Sequence, residues 1–222
     1  MLTYNTIKET NDSIETLYEI QKSKFITHIK HIENEDEARD FILTMKKRYY
    51  DARHSSSAYI LGEKSDKQKS NDDGEPGGTA GNPILETIKA HALTNIVIVV
   101  TRYFGGIKLG AGGLIRAYSH AAALGINAAT KIAMTPFTPL KVTINYDLLA
   151  TVEHYIRTNE IKTNEADYGE KVTLNLLLTE DKILPVIEDI TNLTSARFSY
   201  EKGEEQLIPL SLYNNYFPSA NI

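Results

Sequence analysis

The sequence contains no cysteine, no tryptophan and no long hydrophobic run. Without cysteine, the chain has no disulfide framework, no thiol nucleophile and no cysteine-ligated zinc site. No apolar run approaches the ~20 residues that a transmembrane helix requires, so we expect no membrane association. The first residues lack a basic segment followed by an apolar one, so we expect no secretory signal and a cytoplasmic location.

Charge is present in ordinary amounts but is unevenly distributed. The 222 residues are 41% hydrophobic and 24% charged, which is typical of a globular protein with one large or two small domains. The net charge of −5 argues against a protein that coats nucleic acid by charge alone. Residues 1–130 carry 16 basic and 16 acidic residues, whereas residues 131–222 carry 8 and 13. A polyanion-binding surface is therefore expected in the first part.

The most distinctive stretch joins an apolar strand to a helix through glycines. Ile96–Val100 is rich in β-branched residues, which predicts a buried strand, and Leu114–Ala129 predicts a closely packed helix. The glycines between them are Gly105, Gly106, Gly110, Gly112 and Gly113. A glycine-rich loop before a helix presents backbone N–H groups and the positive end of the helix dipole, which favours anion binding near Arg102, Lys108 and Arg116. Tight strand-to-helix packing explains the same glycines without a ligand.

A second glycine-rich segment begins with acidic residues. Asp72, Asp73 and Glu75 lie within four residues and repel one another unless cations or hydrogen-bond donors compensate. This segment is either a solvated loop or a loop that binds Mg²⁺ or donor groups. The other members of the candidate loop are Gly77, Gly78 and Thr79. A helix is expected next, with Asn82 as its N-cap and Pro83 as its first residue.

Familiar catalytic motifs are missing. Neither glycine-rich segment matches a phosphate-binding P-loop or a dinucleotide-binding fingerprint, and there is no nucleophile elbow or paired-histidine zinc motif. The six histidines show no metal-ligand spacing. We therefore assign no catalytic residue and no metal ligand from these patterns.

Periodicity predicts the elements of the first part. Alternating apolar and polar residues predict strands at Thr3–Thr10, Ser13–Ile20 and Lys24–Ile32, the first two joined by a turn-prone Asn-Asp pair. An amphipathic helix follows over residues 35–50, with the preceding asparagine as its N-cap. The run 63–71 has no apolar residue, which predicts an exposed and mobile loop.

Two prolines near residue 136 mark a boundary that predicts domains over residues 1–134 and 135–222. The second part follows the order β-α-β-β-α-β, which is typical of a ferredoxin-like fold. Its predicted elements are Leu140–Tyr146, Asp147–Arg157, Glu160–Tyr168, Lys171–Leu178, Asp181–Leu193 and Ala196–Ile208. The polar tail over residues 209–222 is expected to be frayed.

Three segments carry a resemblance to a known family. DDGEPGGTAGNPIL (72–85) and VVTRYFGGIKLGAGGLIRAY (99–118) closely resemble the two signature segments of the IMPACT family. RHSSSAYILG (53–62) resembles an earlier motif of that family, although serine stands where an Asn-Cys pair is expected, so no cysteine chemistry is carried over. The resemblance implies an α+β fold. It comprises a domain similar to ribosomal protein S5 domain 2, followed by one similar to the last ferredoxin-like domain of elongation factor G.

The resemblance also implies a function. Both domain types occur in proteins that contact RNA or the ribosome, and the eukaryotic family members regulate translation during amino-acid starvation. We therefore expect a non-catalytic, cytoplasmic protein without a cofactor, linked to the regulation of translation, which binds RNA, the ribosome or a phosphate-bearing ligand. The expected binding residues are Arg53, His54, Arg102, Gly105, Gly106, Lys108, Gly110, Gly112, Gly113 and Arg116.

Two alternatives remain open at this point. The first is a Mg²⁺-dependent phosphate-handling or hydrolytic enzyme that uses the carboxylates of residues 72–81. The second is a module that binds a regulatory protein partner. The patterns do not indicate an oligomeric state.

Overall fold

The computed structural model describes residues 1–211, and the chain divides into two compact units. The first unit comprises residues 2–134 with residues 209–211, and the second comprises residues 135–208 with Met1. Both units combine helices with antiparallel strands, so the predicted α+β class is confirmed. None of the helices within residues 1–211 has the length and apolar character needed to cross a membrane.

The first unit is built on a five-stranded antiparallel sheet. Its elements, in chain order, are β1 (Tyr4–Ile7), β2 (Ile14–Ile20), β3 (Ser23–His31), α1 (Glu35–Arg48), β4 (His54–Leu61), β5 (Lys67–Asn71), α2 (Gly81–Ala90), β6 (Ile96–Tyr103) and α3 (Gly110–Ala128). The strands of the sheet lie in the order β2-β3-β6-β4-β5. The apolar strand β6 is therefore central, as its β-branched run indicates.

Both faces of this sheet are covered. Ile98 and Val100 of β6 belong to a core cluster that also contains residues of α2 and α3. Val97 and Val99, which alternate with them, belong to a separate cluster with residues of α1. Because successive side chains of a strand point to opposite faces, α1 packs on one face and the pair α2 and α3 on the other. This arrangement explains why β6 is apolar throughout.

Strand β1 pairs with residues 131–134 rather than with its neighbour β2. Three local predictions for this unit need correction. Residues 67–71 form the edge strand β5 instead of a mobile loop. An edge strand exposes most of its side chains, so backbone pairing with β4 is enough to hold a polar segment. Helix α3 begins at Gly110, which places three of the five glycines in its first turn. The N-cap position of α2 is Ala80 rather than Asn82.

The N-cap of α1 confirms a local prediction. The Asn34 side chain accepts a hydrogen bond from the Glu37 N–H at 2.9 Å. Three acidic residues lie in the first turn and three basic residues in the last, which complements the helix dipole at both ends.

The second unit has the predicted β-α-β-β-α-β order. The elements from residue 131 onward are β7 (Lys131–Ile144), α4 (Tyr146–Thr158), β8 (Lys162–Thr163), β9 (Asp167–Tyr168), β10 (Val172–Leu178), α5 (Glu180–Thr194), β11 (Phe198–Lys202) and β12 (Gln206–Ser211). The predicted third strand is thus two short pieces, β8 and β9, which both pair with β10. The final predicted strand is likewise divided, into β11 and β12. Of the predicted frayed tail, residues 209–211 lie in β12, and residues 212–222 lie outside the described residues.

Strand β7 is continuous through both of its prolines. Its residues 131–134 pair with β1, and its residues 138–144 pair with β10. The core of the second unit is formed by apolar residues of β7, β10, α4 and α5, among them Val142, Leu176 and Ile190.

Candidate anion-binding cleft

A cleft of about 710 Å³ opens in the first unit beside the N-terminus of α3. The antiparallel pairing of β4 with β6 sets His54 opposite Arg102, so the start of one strand lies beside the end of the other. Three chain segments therefore meet there: the approach to β4, the acidic glycine-rich segment, and the loop from β6 into α3. The cleft is lined by Asp51, Arg53, His54, Glu75, Pro76, Arg102, Tyr103, Phe104, Lys108, Leu109, Gly110, Ala111 and Leu114.

Half of the predicted binding residues line this cleft. Those that line the cleft are Arg53, His54, Arg102, Lys108 and Gly110. Those that do not are Gly105, Gly106, Gly112, Gly113 and Arg116. In the acidic glycine-rich segment, which was predicted to bind Mg²⁺ or donor groups, Glu75 lines the cleft. The other predicted members do not: Asp72, Asp73, Gly77, Gly78 and Thr79. Gly105 has a packing role, because a Cβ there would lie 2.0 Å from the backbone carbon of Lys22.

Asp51 lines the cleft beside Tyr103 without having been predicted as a binding residue. The Tyr103 hydroxyl donates to the Asp51 carboxylate at 2.7 Å, and this bond is the main reason that the pKa of Tyr103 rises to about 12. The strand pairing of β4 with β6 could have revealed Asp51, because it brings both strand ends together.

Helix α3 presents an uncapped N-terminus to the cleft. It runs for 19 residues, and within the described part of the chain no side chain caps its first turn and no acidic residue lies in that turn. The first amides of a helix have no acceptor within the helix, and the dipole adds roughly half a positive charge there. Gly110, which starts the helix with a φ of +71°, lines the cleft together with Ala111. This end of α3 is suited to an anion.

At helix α2 of the same unit, a carboxylate binds the backbone N–H groups of the N-terminus. The Asp72 carboxylate accepts the N–H groups of Ala80 at 3.0 Å, Gly81 at 2.8 Å and Gly78 at 2.8 Å. Burial opposes ionisation of Asp72, but these three hydrogen bonds outweigh it and hold its pKa below the ordinary value. A carboxylate thus binds the first amides of α2, whereas within residues 1–211 no side chain does so at α3.

Asp73 holds the ring of His54 in place. Its carboxylate forms an ion pair with Lys46 at 2.5 Å and accepts the Ser55 N–H at 2.7 Å. Its carbonyl oxygen lies 2.9 Å from His54 Nδ1. Because a carbonyl oxygen only accepts, Nδ1 of His54 donates in this hydrogen bond. The ring orientation of His54 is therefore fixed before any ligand arrives.

A buried ion pair lies at the base of the cleft. The side chains of Glu75 and Arg102 are 2% and 8% exposed. Arg102 Nη1 donates to the two Glu75 carboxylate oxygens at 2.8 and 3.1 Å, and the Tyr118 hydroxyl donates to the same carboxylate at 2.8 Å. Burial raises the pKa of Tyr118, which keeps this hydroxyl protonated. Arg102 Nε has no partner among the described residues, so this buried guanidinium retains an unused donor.

The three carboxylates within residues 72–75 each bind a different partner. Asp72 binds backbone amides, Asp73 binds Lys46 and Glu75 binds Arg102. Among residues 1–211, no group of three or more histidine, aspartate or glutamate side chains is placed to hold a metal ion. The arrangement therefore neutralises the acidic run with protein groups rather than gathering it around a common centre.

The comparisons with known proteins cover both units. The Impact N-terminal domain family matches residues 21–126, which include every residue that lines the cleft, and a domain of unknown function (DUF1949) matches residues 142–197. The chain is 39% identical to the IMPACT family member YvyE of Bacillus subtilis, over 90% of this chain and 91% of that protein. It is 35% identical to the IMPACT family member YigZ of Escherichia coli, over 74% and 82%.

A solved structure is also similar to this chain over most of its length. A crystal structure of a protein described as hypothetical matches with a TM-score of 0.58 and 29% sequence identity. The match covers 90% of this chain and 97% of that one. The similarity therefore extends over both units rather than over the signature segments alone.

The buried ion pair can be tested by removing one partner. Glu75→Ala leaves the Arg102 guanidinium buried without its carboxylate, so we expect the free energy of unfolding to fall by about 3–5 kcal/mol. Urea denaturation would measure the change. The control is Glu86→Ala, which removes an exposed ion pair with Lys89 and should cost no more than about 0.5 kcal/mol. Equal costs for the two variants would contradict the role given to Glu75.

The capping role of Asp72 predicts a pH dependence. Because the folded protein lowers the pKa of Asp72, the stability it contributes is present above the ordinary pKa of 3.8 and is lost as the pH falls through the folded value. We expect wild-type protein to lose stability more steeply than Asp72→Asn between about pH 5 and pH 3. Urea midpoints at several pH values would measure this. Asp36→Asn, at an exposed pair with Arg39, is the control, and identical slopes for wild type and Asp72→Asn would refute the assignment.

Proposed function

This chain belongs to the IMPACT family, and from that premise we propose that it is a cytoplasmic, RNA-binding protein linked to the regulation of translation. Its cleft holds one phosphate group of the RNA at the N-terminus of α3. The observation that carries the proposal is the uncapped helix N-terminus beside a buried arginine that retains an unused donor. The link to translation rests on the family resemblance of the two signature segments.

The phosphate has complementary donors in the cleft. The first amides of α3, at Gly110 and Ala111, lie at the positive end of the helix dipole. Lys108 and Arg53 are exposed cations of the lining and supply charge that a polyanion senses at a distance. Arg102 differs from them, because its pairing with Glu75 fixes the guanidinium before binding. The site therefore combines a buried arginine held by an ion pair with exposed cations around it.

The net charge of the chain makes this local arrangement necessary. A chain of net charge −5 repels a polyanion overall, so binding depends on a place where cations outnumber acids. The cleft lining provides three lysine or arginine side chains against two carboxylates, both of which already accept hydrogen bonds from protein groups. Phosphate contacts of this kind fix the position of RNA and are sensitive to salt.

Replacing the exposed cations should weaken RNA binding in a salt-dependent way. We expect Lys108→Ala and Arg53→Ala each to lower the affinity for a short single-stranded RNA. Each should also reduce the slope of log affinity against log salt by about 0.7, the value for one phosphate contact. Fluorescence anisotropy of an internally labelled RNA over a range of potassium chloride concentrations would measure both effects.

The control for this experiment is Lys47→Ala. It removes the same charge from an exposed position on α1, which packs on the opposite face of the sheet. Its affinity and salt slope should match those of the wild type. RNA binding that is unchanged in Lys108→Ala and Arg53→Ala, or absent at low salt in the wild type, would overturn the proposed function.

A further inference from the structure

Phe104 gives the cleft an exposed aromatic surface. The residue is 55% exposed although it lies directly after the buried strand β6. The Arg102 guanidinium carbon lies 5.6 Å from the centre of the Phe104 ring and 5.6 Å from the centre of the buried Phe25 ring. The arginine thus contacts both rings, and the Glu75 ion pair holds it there. Phe104 is positioned by this stack while much of its surface stays accessible.

An exposed aromatic ring beside the N-terminus of α3 matches the two parts of a nucleotide, the base and the phosphate. Aromatic side chains stack on nucleobases whatever their sequence, and the neighbouring charge holds the phosphate. An inorganic anion or a sugar phosphate would use the helix N-terminus but leave Phe104 without a role. The pairing of the two features in one cleft therefore points to a ligand that carries both a base and a phosphate.

The charge of the lining distinguishes a terminal phosphate from an internal one. Arg53, Arg102 and Lys108 outweigh Asp51 and Glu75 by one positive charge, and the helix dipole adds about half a charge more. An internal phosphodiester of RNA carries one negative charge, whereas a phosphomonoester carries about 1.5 to 2 near pH 7. The cleft thus matches the charge of a monoester, the form found at the phosphorylated end of a strand.

We infer that the cleft recognises the phosphorylated end of an RNA strand, with the terminal phosphate at the first turn of α3 and the adjoining base stacked on Phe104. The inference rests on the proposed function, because it takes RNA as the ligand of this cleft. Two independent observations support it besides the helix terminus: the unpartnered Nε of the buried Arg102, and the exposed ring of Phe104 that the same arginine contacts.

Three RNAs of one sequence test this inference. They carry an internal fluorophore and end in a 5′-phosphate, a 3′-phosphate or hydroxyl groups at both ends. We expect one phosphorylated RNA to bind the wild-type protein about tenfold more tightly than the hydroxyl form. The reason is that a terminal phosphate brings up to one more negative charge to the first turn of α3 than an internal phosphate does. The favoured RNA identifies which end is recognised. A nucleoside monophosphate, added as competitor, should displace it only weakly, because it lacks the further phosphates of the strand that the exposed Lys108 and Arg53 attract.

Phe104 variants separate stacking from phosphate binding. Phe104→Ala should lower the affinity for the favoured RNA about tenfold, while Phe104→Trp, which keeps an aromatic ring, should retain it. Ile107→Ala is the matched control, because this residue is exposed in the same loop but does not line the cleft. Urea denaturation of each variant establishes that it is folded.

The outcomes distinguish the inference from the function on which it rests. If all three RNAs bind equally well while Lys108→Ala weakens each of them, RNA binding stands and end recognition is overturned. If the mononucleotide competes as well as unlabelled RNA of the favoured form, the ligand is a free nucleotide and recognition of a strand end is overturned. If no RNA binds the wild-type protein, the proposed function itself fails.

Discussion

The buried ion pair between Glu75 and Arg102 is the contact on which the cleft depends. It joins the acidic glycine-rich segment to the end of β6, and Tyr118 of α3 donates to the same carboxylate. The acidic glycine-rich segment, the end of β6 and helix α3 are therefore all bound to one carboxylate. Removing two charges from water is costly, so such a pair is weak evidence for stability but a means of fixing geometry. Here it holds a guanidinium whose Nε has no partner among the described residues.

The two helices on this face of the sheet differ in how their N-termini are satisfied. Asp72 supplies α2 with a carboxylate, whereas α3 has no counterpart within the described residues. Both helices start after glycines, and both would gain from a negative charge at that position. The chain thus neutralises one helix end internally and leaves the other facing a cleft lined by cations. This asymmetry, more than the number of glycines, identifies the candidate site.

Local patterns predicted the elements better than the contacts between them. The β-branched run before Thr101 and the Asn34 cap were predictable because strand burial and capping leave direct signatures in neighbouring residues. The capping of α2 by Asp72 was not, since the partners are eight and nine residues apart and the nearer Asn82 offered a simpler local solution. Asp51 was missed because only the pairing of β4 with β6 brings it beside the end of β6.

The central claim is that a phosphate occupies the N-terminus of α3, and amide chemical shifts in an NMR titration test it most directly. Adding an RNA with a phosphorylated end should shift the N–H signals of Gly110 and Ala111 strongly, because these amides gain an anionic acceptor. The Gly81 N–H, already bound to Asp72, serves as the internal reference and should hardly move. Unchanged signals at Gly110 and Ala111 under conditions where RNA is bound would contradict the account.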